Sequence, residues 1–262
     1  MKFLHFHKIV LSVLVAAAVL SSCEGNKGES SPVEYIAHAG GIINGSSMTN
    51  SLEAIDHAFL SGIRFVELDL MLTTDSELVT GHDWELFRQM TDNPVSSEPM
   101  TLNDYCRQRI CGKYTPVTWQ MIDSLLEVHP DLYLVTDKIS SPEILEKFLG
   151  TYRSRIMVEC FWGKDYFRLQ ELGYYKVFLS VHPPYIKTAK RDKRAGLPVF
   201  ENYAFWYIGK GFNEITPDYT SAYGTEFAVF TMPDRHSADS LAALDRRIRY
   251  VYIDNVEPYL EK

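Results

Sequence analysis

Cysteine is scarce, with four residues in a chain of 262, which excludes a small scaffold held together by disulfides. Cys106 and Cys111 have four residues between them and could close one small bridge outside the cytoplasm, while Cys160 lies within an apolar run as a buried thiol would. Positive charge is also in deficit, at 26 Lys and Arg against 34 Asp and Glu, for a formal charge of −8. An acidic chain is a poor polyanion binder, and no basic stretch interleaved with aromatics opposes that reading, so nucleic acid is not an expected partner. The one basic cluster, KTAKRDKRAG from Lys187 to Gly196, reads as a solvated loop. Long hydrophobic runs are missing too. IVLSVLVAAAVL, from Ile9 to Leu20, has twelve residues, where a bilayer crossing needs about 20.

Such a run suits a secretory signal, since it follows Lys2 and Lys8 and ends at LSSC, Leu20 to Cys23. LSSC resembles a bacterial lipobox, so cleavage is expected before Cys23, with lipid attached there. The polar EGNKGESSP that follows has the composition of a flexible tether. The expected organisation is a signal peptide over residues 1–22, a tether over 23–32 and one domain over 33–262. Without its first 22 residues the chain carries 24 basic against 34 acidic residues. The expected location is the cell envelope, as an extracytoplasmic lipoprotein joined to the membrane through Cys23.

Nine runs rich in β-branched and aromatic residues read as strands: Val33–His38, Arg64–Leu70, Leu78–His82, Leu132–Asp137, Arg155–Cys160, Lys176–Val181, Tyr203–Ile208, Glu226–Thr231 and Tyr250–Asp254. Amphipathic stretches such as SLEAIDHAFLSG and WQMIDSLLEVHP separate several of them. Alternating strand and helix over this length predicts an α/β fold, a (β/α)8 TIM barrel with a parallel sheet. Nine strands is one too many. Only Met71 to Glu77 separate the second run from the third, too few residues for a parallel crossover, so the pair must be an antiparallel hairpin. A turn centred between Asp75 and Ser76 would set Met71 opposite Thr80 and Asp69 opposite His82, and the returning arm leaves the barrel wall.

This hairpin brings Glu67, Asp69 and His82 together at a strand end, where catalytic groups of such barrels lie. Two carboxylates at i and i+2 suit a hard cation such as Mg2+ or Ca2+. An imidazole beside them can move a proton near neutral pH. The first run ends at His38 on the same rim, followed by Gly40 and Gly41, which would let backbone approach a ligand.

The ordered set His38-Ala39-Gly40, Thr49-Asn50-Ser51, Glu67-Leu68-Asp69 and His82-Asp83 resembles the glycerophosphodiester phosphodiesterase family, part of a broader phosphatidylinositol-phospholipase-C-like group of barrels. YTPVTWQMIDSLLEVHPDLYLVTDK resembles the family's next block and YVYIDNVEP its closing strand. The resemblance implies that His38 and His82 act as general acid and base, that Glu67 and Asp69 bind a divalent cation, and that Asp137 stands in for the third ligand. It implies a small-molecule or lipid-headgroup phosphodiester as substrate. Lyase chemistry of the phosphatidylinositol phospholipase C type and a non-catalytic binding lipoprotein stay open as alternatives.

Two departures stand out. Ala39 occupies the place of a family arginine, removing a bidentate phosphate contact. Asp137 and Lys138 are adjacent, so on a regular strand they would face opposite ways. Lys138, Glu159 and Asn50 are candidate substrate-binding residues, Asn50 being also a candidate helix cap. His182 is a weaker site candidate, Asp83 would orient His82 or the loop, and His57, His129 and His236 read as structural or solvated. Trp162 and the aromatics of YAFWYIG read as barrel core. Headgroup choice is expected from the long segment Trp84 to Tyr114.

Overall fold

The β-branched and aromatic runs pair as parallel strands in the computed structural model, which describes residues 33–180, 202–206 and 226–258. They form β1 (Glu34–Ala37), β2 (Phe65–Leu72), β4 (Tyr133–Asp137), β5 (Ile156–Cys160), β6 (Lys176–Ser180), β7 (Asn202–Trp206), β8 (Glu226–Met232) and β9 (Ile248–Ile253). β3 (Leu78–Thr80) is the short returning arm, antiparallel to β2 and outside the ring. The sheet order is β1-β9-β8-β7-β6-β5-β4-β2-β3, and a further β1 to β2 pairing closes the eight parallel strands on themselves. This is the expected (β/α)8 TIM barrel. The expectations for Cys23 and the tether, for His182 and for the basic cluster Lys187 to Gly196 lie outside the described residues.

Described helices are α1 (Leu52–Leu60), α2 (Trp84–Met90), α3 (Leu102–Cys106), α4 (Trp119–Val128), α5 (Pro142–Leu149), α6 (Gly163–Leu172) and α7 (Arg235–Ala242). Several begin on a side-chain cap that satisfies an orphan N–H, as Ser51 accepts from Ala54 N at the start of α1 and Ser141 from Ile144 N at the start of α5. Among the described residues, no helix is long and apolar enough to cross a membrane.

Three packed regions follow from the alternation of side chains along the strands. One face of the ring packs on the helices through residues such as Val66, Leu68, Leu134, Val158 and Val251. The other face fills the barrel with Ile36, Phe65, Val135, Met157, Phe178, Ala204, Ala228 and Tyr250, one from each of the eight strands. The third is a small separate core in which Met71 and Val79 of the hairpin pack on Trp84, Phe87, Tyr105 and Tyr114. The segment Trp84 to Tyr114 is thus a self-contained flap beside the hairpin, and Tyr105 Oη donates to the carbonyls of Thr80 and Val117 to pin it there. Cys106 and Cys111, within it, are free thiols, and Cys160 is buried.

Two local expectations change. The hairpin pairs Leu70 with Thr80, Met71 with Val79 and Leu72 with Leu78, one residue away from the expected register. Thr73 explains the shift: its N–H donates to the Glu77 carbonyl and its hydroxyl accepts from Glu77 N, so the turn is tied at 73 and 77. Gly40 and Gly41 serve protein packing, because a Cβ on them would stand 2.9 Å from Ala54 Cβ and 2.5 Å from Val256 Cγ1. Both adopt positive φ, which glycine takes without strain.

Candidate active site

Above the apolar plug, the same inward parity continues up each strand. Ile36 leads to His38, Phe65 to Glu67 and Asp69, Val135 to Asp137, Met157 to Glu159, Phe178 to Ser180 and Tyr250 to Tyr252. All of these terminal groups line one cavity of about 440 Å3 at the carboxyl ends of the strands. His82 reaches it by another route. Gly81 N donates to the Asp69 carbonyl, and Gly81 then takes φ +148, so that the chain leaves the hairpin and His82 turns into the cavity despite the shifted register.

Asp69 and Asp137 are direct neighbours across β2 and β4. With Glu67 they offer three carboxylate oxygens lying within 4.8 Å of one another. Glu67 and Asp69 are each 2% exposed. Glu67 Oε2 accepts from Ala39 N at 2.6 Å, while Oε1 is buried with no partner. An unpaired buried carboxylate oxygen is costly. A donor set of hard oxygens with one left unsatisfied fits a divalent cation, which these three residues could hold.

Burial pushes the Glu67 carboxyl well above its usual range, and Asp69 and Asp137 push it further. Burial raises Asp69 as well, although the Asn50 amide works against this. Glu159 is pushed up to about 8, by burial first and then by Asp137. Tyr252 Oη donates to Glu159 Oε2 at 3.3 Å. These acids crowd one charge sign into a buried space.

Asn50 does not face the cavity. Its amide nitrogen donates to Asp69 Oδ2 and its amide oxygen accepts from Asp69 N, both at 2.9 Å, and its side chain is fully buried. The expectation that it binds substrate or caps α1 is therefore corrected: Ser51 is the cap, and Asn50 orients a carboxylate. Lys138 also departs from expectation. Its φ of +67 breaks the strand alternation, and its ammonium comes to 3.3 Å from Asp137 Oδ2 and 3.7 Å from Asp69 Oδ1. Burial alone would lower this ammonium, but Asp137 and Asp69 more than offset it and keep it charged.

Each histidine is held through Nδ1. His38 Nδ1 is 2.8 Å from Asp254 Oδ1, and His82 Nδ1 is 2.7 Å from Asp83 Oδ2. A carboxylate can only accept, so Nδ1 carries the hydrogen and Nε2 is left for the cavity. Asp83 is fixed in turn as the cap of α2, accepting from Leu86 N at 2.7 Å. Its carboxyl sits below the usual range because that N–H and His82 outweigh burial. Sequence reasoning missed Asp254, Tyr252 and Ser180. The inward parity of β6 and β9 was the signal that could have found them.

Other expectations resolve away from the cavity. His57 pairs with Glu257 and His129 lies against Phe59. Trp162, expected in the core, is 59% exposed at the rim. Residues Trp84 to Tyr114 do not line the cavity; Trp84, Glu85 and Ser97 line a neighbouring groove that reaches it only at His82.

Residues 43–141 match the sequence profile of the Glycerophosphoryl diester phosphodiesterase family. That stretch holds Asn50, Glu67, Asp69, His82, Asp137 and Lys138. The match covers well under half of the chain, so it is a likeness of that stretch to the family. No curated protein matches the chain. Solved structures share its fold at low identity. A glycerophosphodiester phosphodiesterase from Agrobacterium tumefaciens is 15% identical with a TM-score of 0.57, over 86% of this chain and 98% of that one. A glycerophosphoryl diester phosphodiesterase from Parabacteroides distasonis is 16% identical with a TM-score of 0.61, over 88% and 85%. An Oleispira antarctica phosphodiesterase, solved with the product sn-glycerol-3-phosphate, is 17% identical with a TM-score of 0.59, over 84% and 92%. Against the glycerophosphodiester phosphodiesterase pattern, Ala39 is the departure of most consequence. Its side chain is buried, its N–H donates to Glu67 and its carbonyl accepts from Asn50 N. Lys138 is the one lysine or arginine among the described residues that line the cavity.

Proposed function

We propose that the chain hydrolyses glycerophosphodiesters or closely related headgroup phosphodiesters, with His38 and His82 as the acid and base pair. The observation that carries this reading is one cavity receiving two imidazoles, each fixed by a carboxylate on Nδ1, beside a three-carboxylate cluster with an unpaired buried oxygen. One Nε2 takes the proton of the attacking hydroxyl. The other returns a proton to the leaving alkoxide.

A phosphodiester is an anion, and each carboxylate at about 4 Å would oppose it by about 4 kcal/mol at an effective dielectric of 20. One lysine cannot offset three acids. Glu67, Asp69 and Asp137 would hold a divalent cation, which supplies charge neutralisation to the phosphate oxygens when bound. Lys138 adds a point charge on the same oxygens and takes over part of the role of the missing arginine. Asp254 and Asp83 hold the imidazoles in their working tautomer. The lipobox-like LSSC supports a lipid anchor at Cys23 and an extracytoplasmic site of action; a Cys23→Ser chain that still partitions into detergent would refute the anchor.

The activity is tested with glycerophosphocholine, glycerophosphoinositol, phosphatidylinositol and bis(p-nitrophenyl) phosphate, with Mg2+ or Ca2+ and with chelator. Cation-dependent turnover of the glycerophosphodiesters is expected, with His82→Ala lowering kcat by about 10²- to 10⁴-fold. Turnover of none of the four by the native chain overturns the hydrolase reading.

A further inference from the structure

A second groove of about 560 Å3 lies beside the cavity, between the loop after β4 and the loop after β5. Lys138 and Phe161 line both spaces, so the two adjoin at the point where the phosphate would meet its lysine. A phosphodiester carries two alcohol arms. With phosphorus held between the histidines and the carboxylates, one arm stays in the cavity and the other must leave it. The groove beside Lys138 offers that exit.

Its lining mixes carbon with polar groups, the hydroxyl-bearing Ser140 and Ser141 among them. Ile139, Ile144 and Phe161 line it, and Trp162 stands at its edge with more than half of its surface in solvent. An exposed indole beside a polar cavity is a stacking face for a ligand. Among the described residues that line the groove, the charged groups are Lys138, Lys164 and Asp165, so no surplus acid faces it to receive a cation. A single indole beside a lysine is a poor cage for a quaternary ammonium.

Building on the phosphodiesterase reading, we propose that this groove binds the second alcohol arm of the substrate, that the arm is an uncharged polyol, and that Trp162 selects it by stacking on its C–H face. The test compares three diesters of glycerol phosphate, whose second arm is methyl, inositol or choline. The methyl arm ends before the groove. In the native chain kcat/KM is expected to follow inositol over choline. Trp162→Ala should lower the ratio of kcat/KM for the inositol ester to that for the methyl ester about tenfold, mainly through KM, and Trp162→Phe should restore part of it. Because Trp162 is exposed, its removal leaves no core cavity, and an unaltered thermal midpoint verifies this. An unchanged ratio, or a selective loss for the choline ester, overturns the proposal while leaving the phosphodiesterase reading intact. Turnover of none of the three by the native chain overturns both.

Discussion

At the scale of single residues, the site depends on side chains that do not line its cavity. Asp69 has a buried carboxylate whose neighbours are acids, and what orients it is the Asn50 amide, bonded to its Oδ2 and to its backbone N–H. Asn50 itself holds φ +49, a conformation that Asn tolerates better than most residues. Supporting bonds of this kind typically govern cation affinity by about 10- to 100-fold. Asn50→Ala is therefore expected to weaken Mg2+ or Ca2+ binding by that order, as measured by calorimetric titration. A rise in KM with unchanged cation affinity would instead return Asn50 to the role of a substrate ligand. Asp254 and Asp83 act in the same indirect way on the histidines.

At the scale of elements, the strands were legible because each is a short apolar run bounded by polar residues, and all nine expected runs coincide with observed strands to within a few residues. The extra strand resolved into a hairpin for a reason visible in the sequence, the short spacing from Met71 to Glu77. Its register did not, because that depends on how Thr73 and Glu77 tie the turn, and a one-residue slip exchanges the faces of every side chain. His82 still arrives because Gly81 resets the chain direction. Lys138 failed the alternation rule for a similar reason, since one left-handed residue after a strand end overrides period two. The rule works while the strand is regular and stops at its last residue. Site residues within strands, Glu67, Asp69, Asp137 and Glu159, were therefore readable, whereas the roles of Asn50 and Lys138 hang on positive φ values that only the tertiary structure discloses.

At the scale of the whole molecule, a barrel that buries several acids at its mouth sets its stability against its function. Burial is the first cause raising Glu67, Asp69 and Glu159, the last to about 8. A carboxyl raised in the folded chain binds more protons there than in the unfolded chain, so its contribution to stability falls as pH rises from the ordinary carboxylate range towards 8. Acids lowered in the fold, such as Asp83 and Asp245, act oppositely, but their stabilising contribution is lost only below about pH 4, outside this window. With chelator present, the thermal midpoint is therefore expected to fall between about pH 5 and pH 8. A divalent cation held by the folded cluster alone would offset the repulsion. At about 100 times its Kd it should stabilise by about 2.7 kcal/mol, a shift of about 5–10 °C for a domain of this size. The shift should be larger at pH 8 than at pH 6, where more of the competing protons remain. Glu159→Gln should flatten the slope without cation, because the amide has no charge to desolvate, and should keep the cation response. Differential scanning calorimetry at several pH values, with chelator and with Mg2+ or Ca2+, measures all of these. A midpoint indifferent to the cation, or a cation shift undiminished in Glu67→Gln, would rule out the three-carboxylate site.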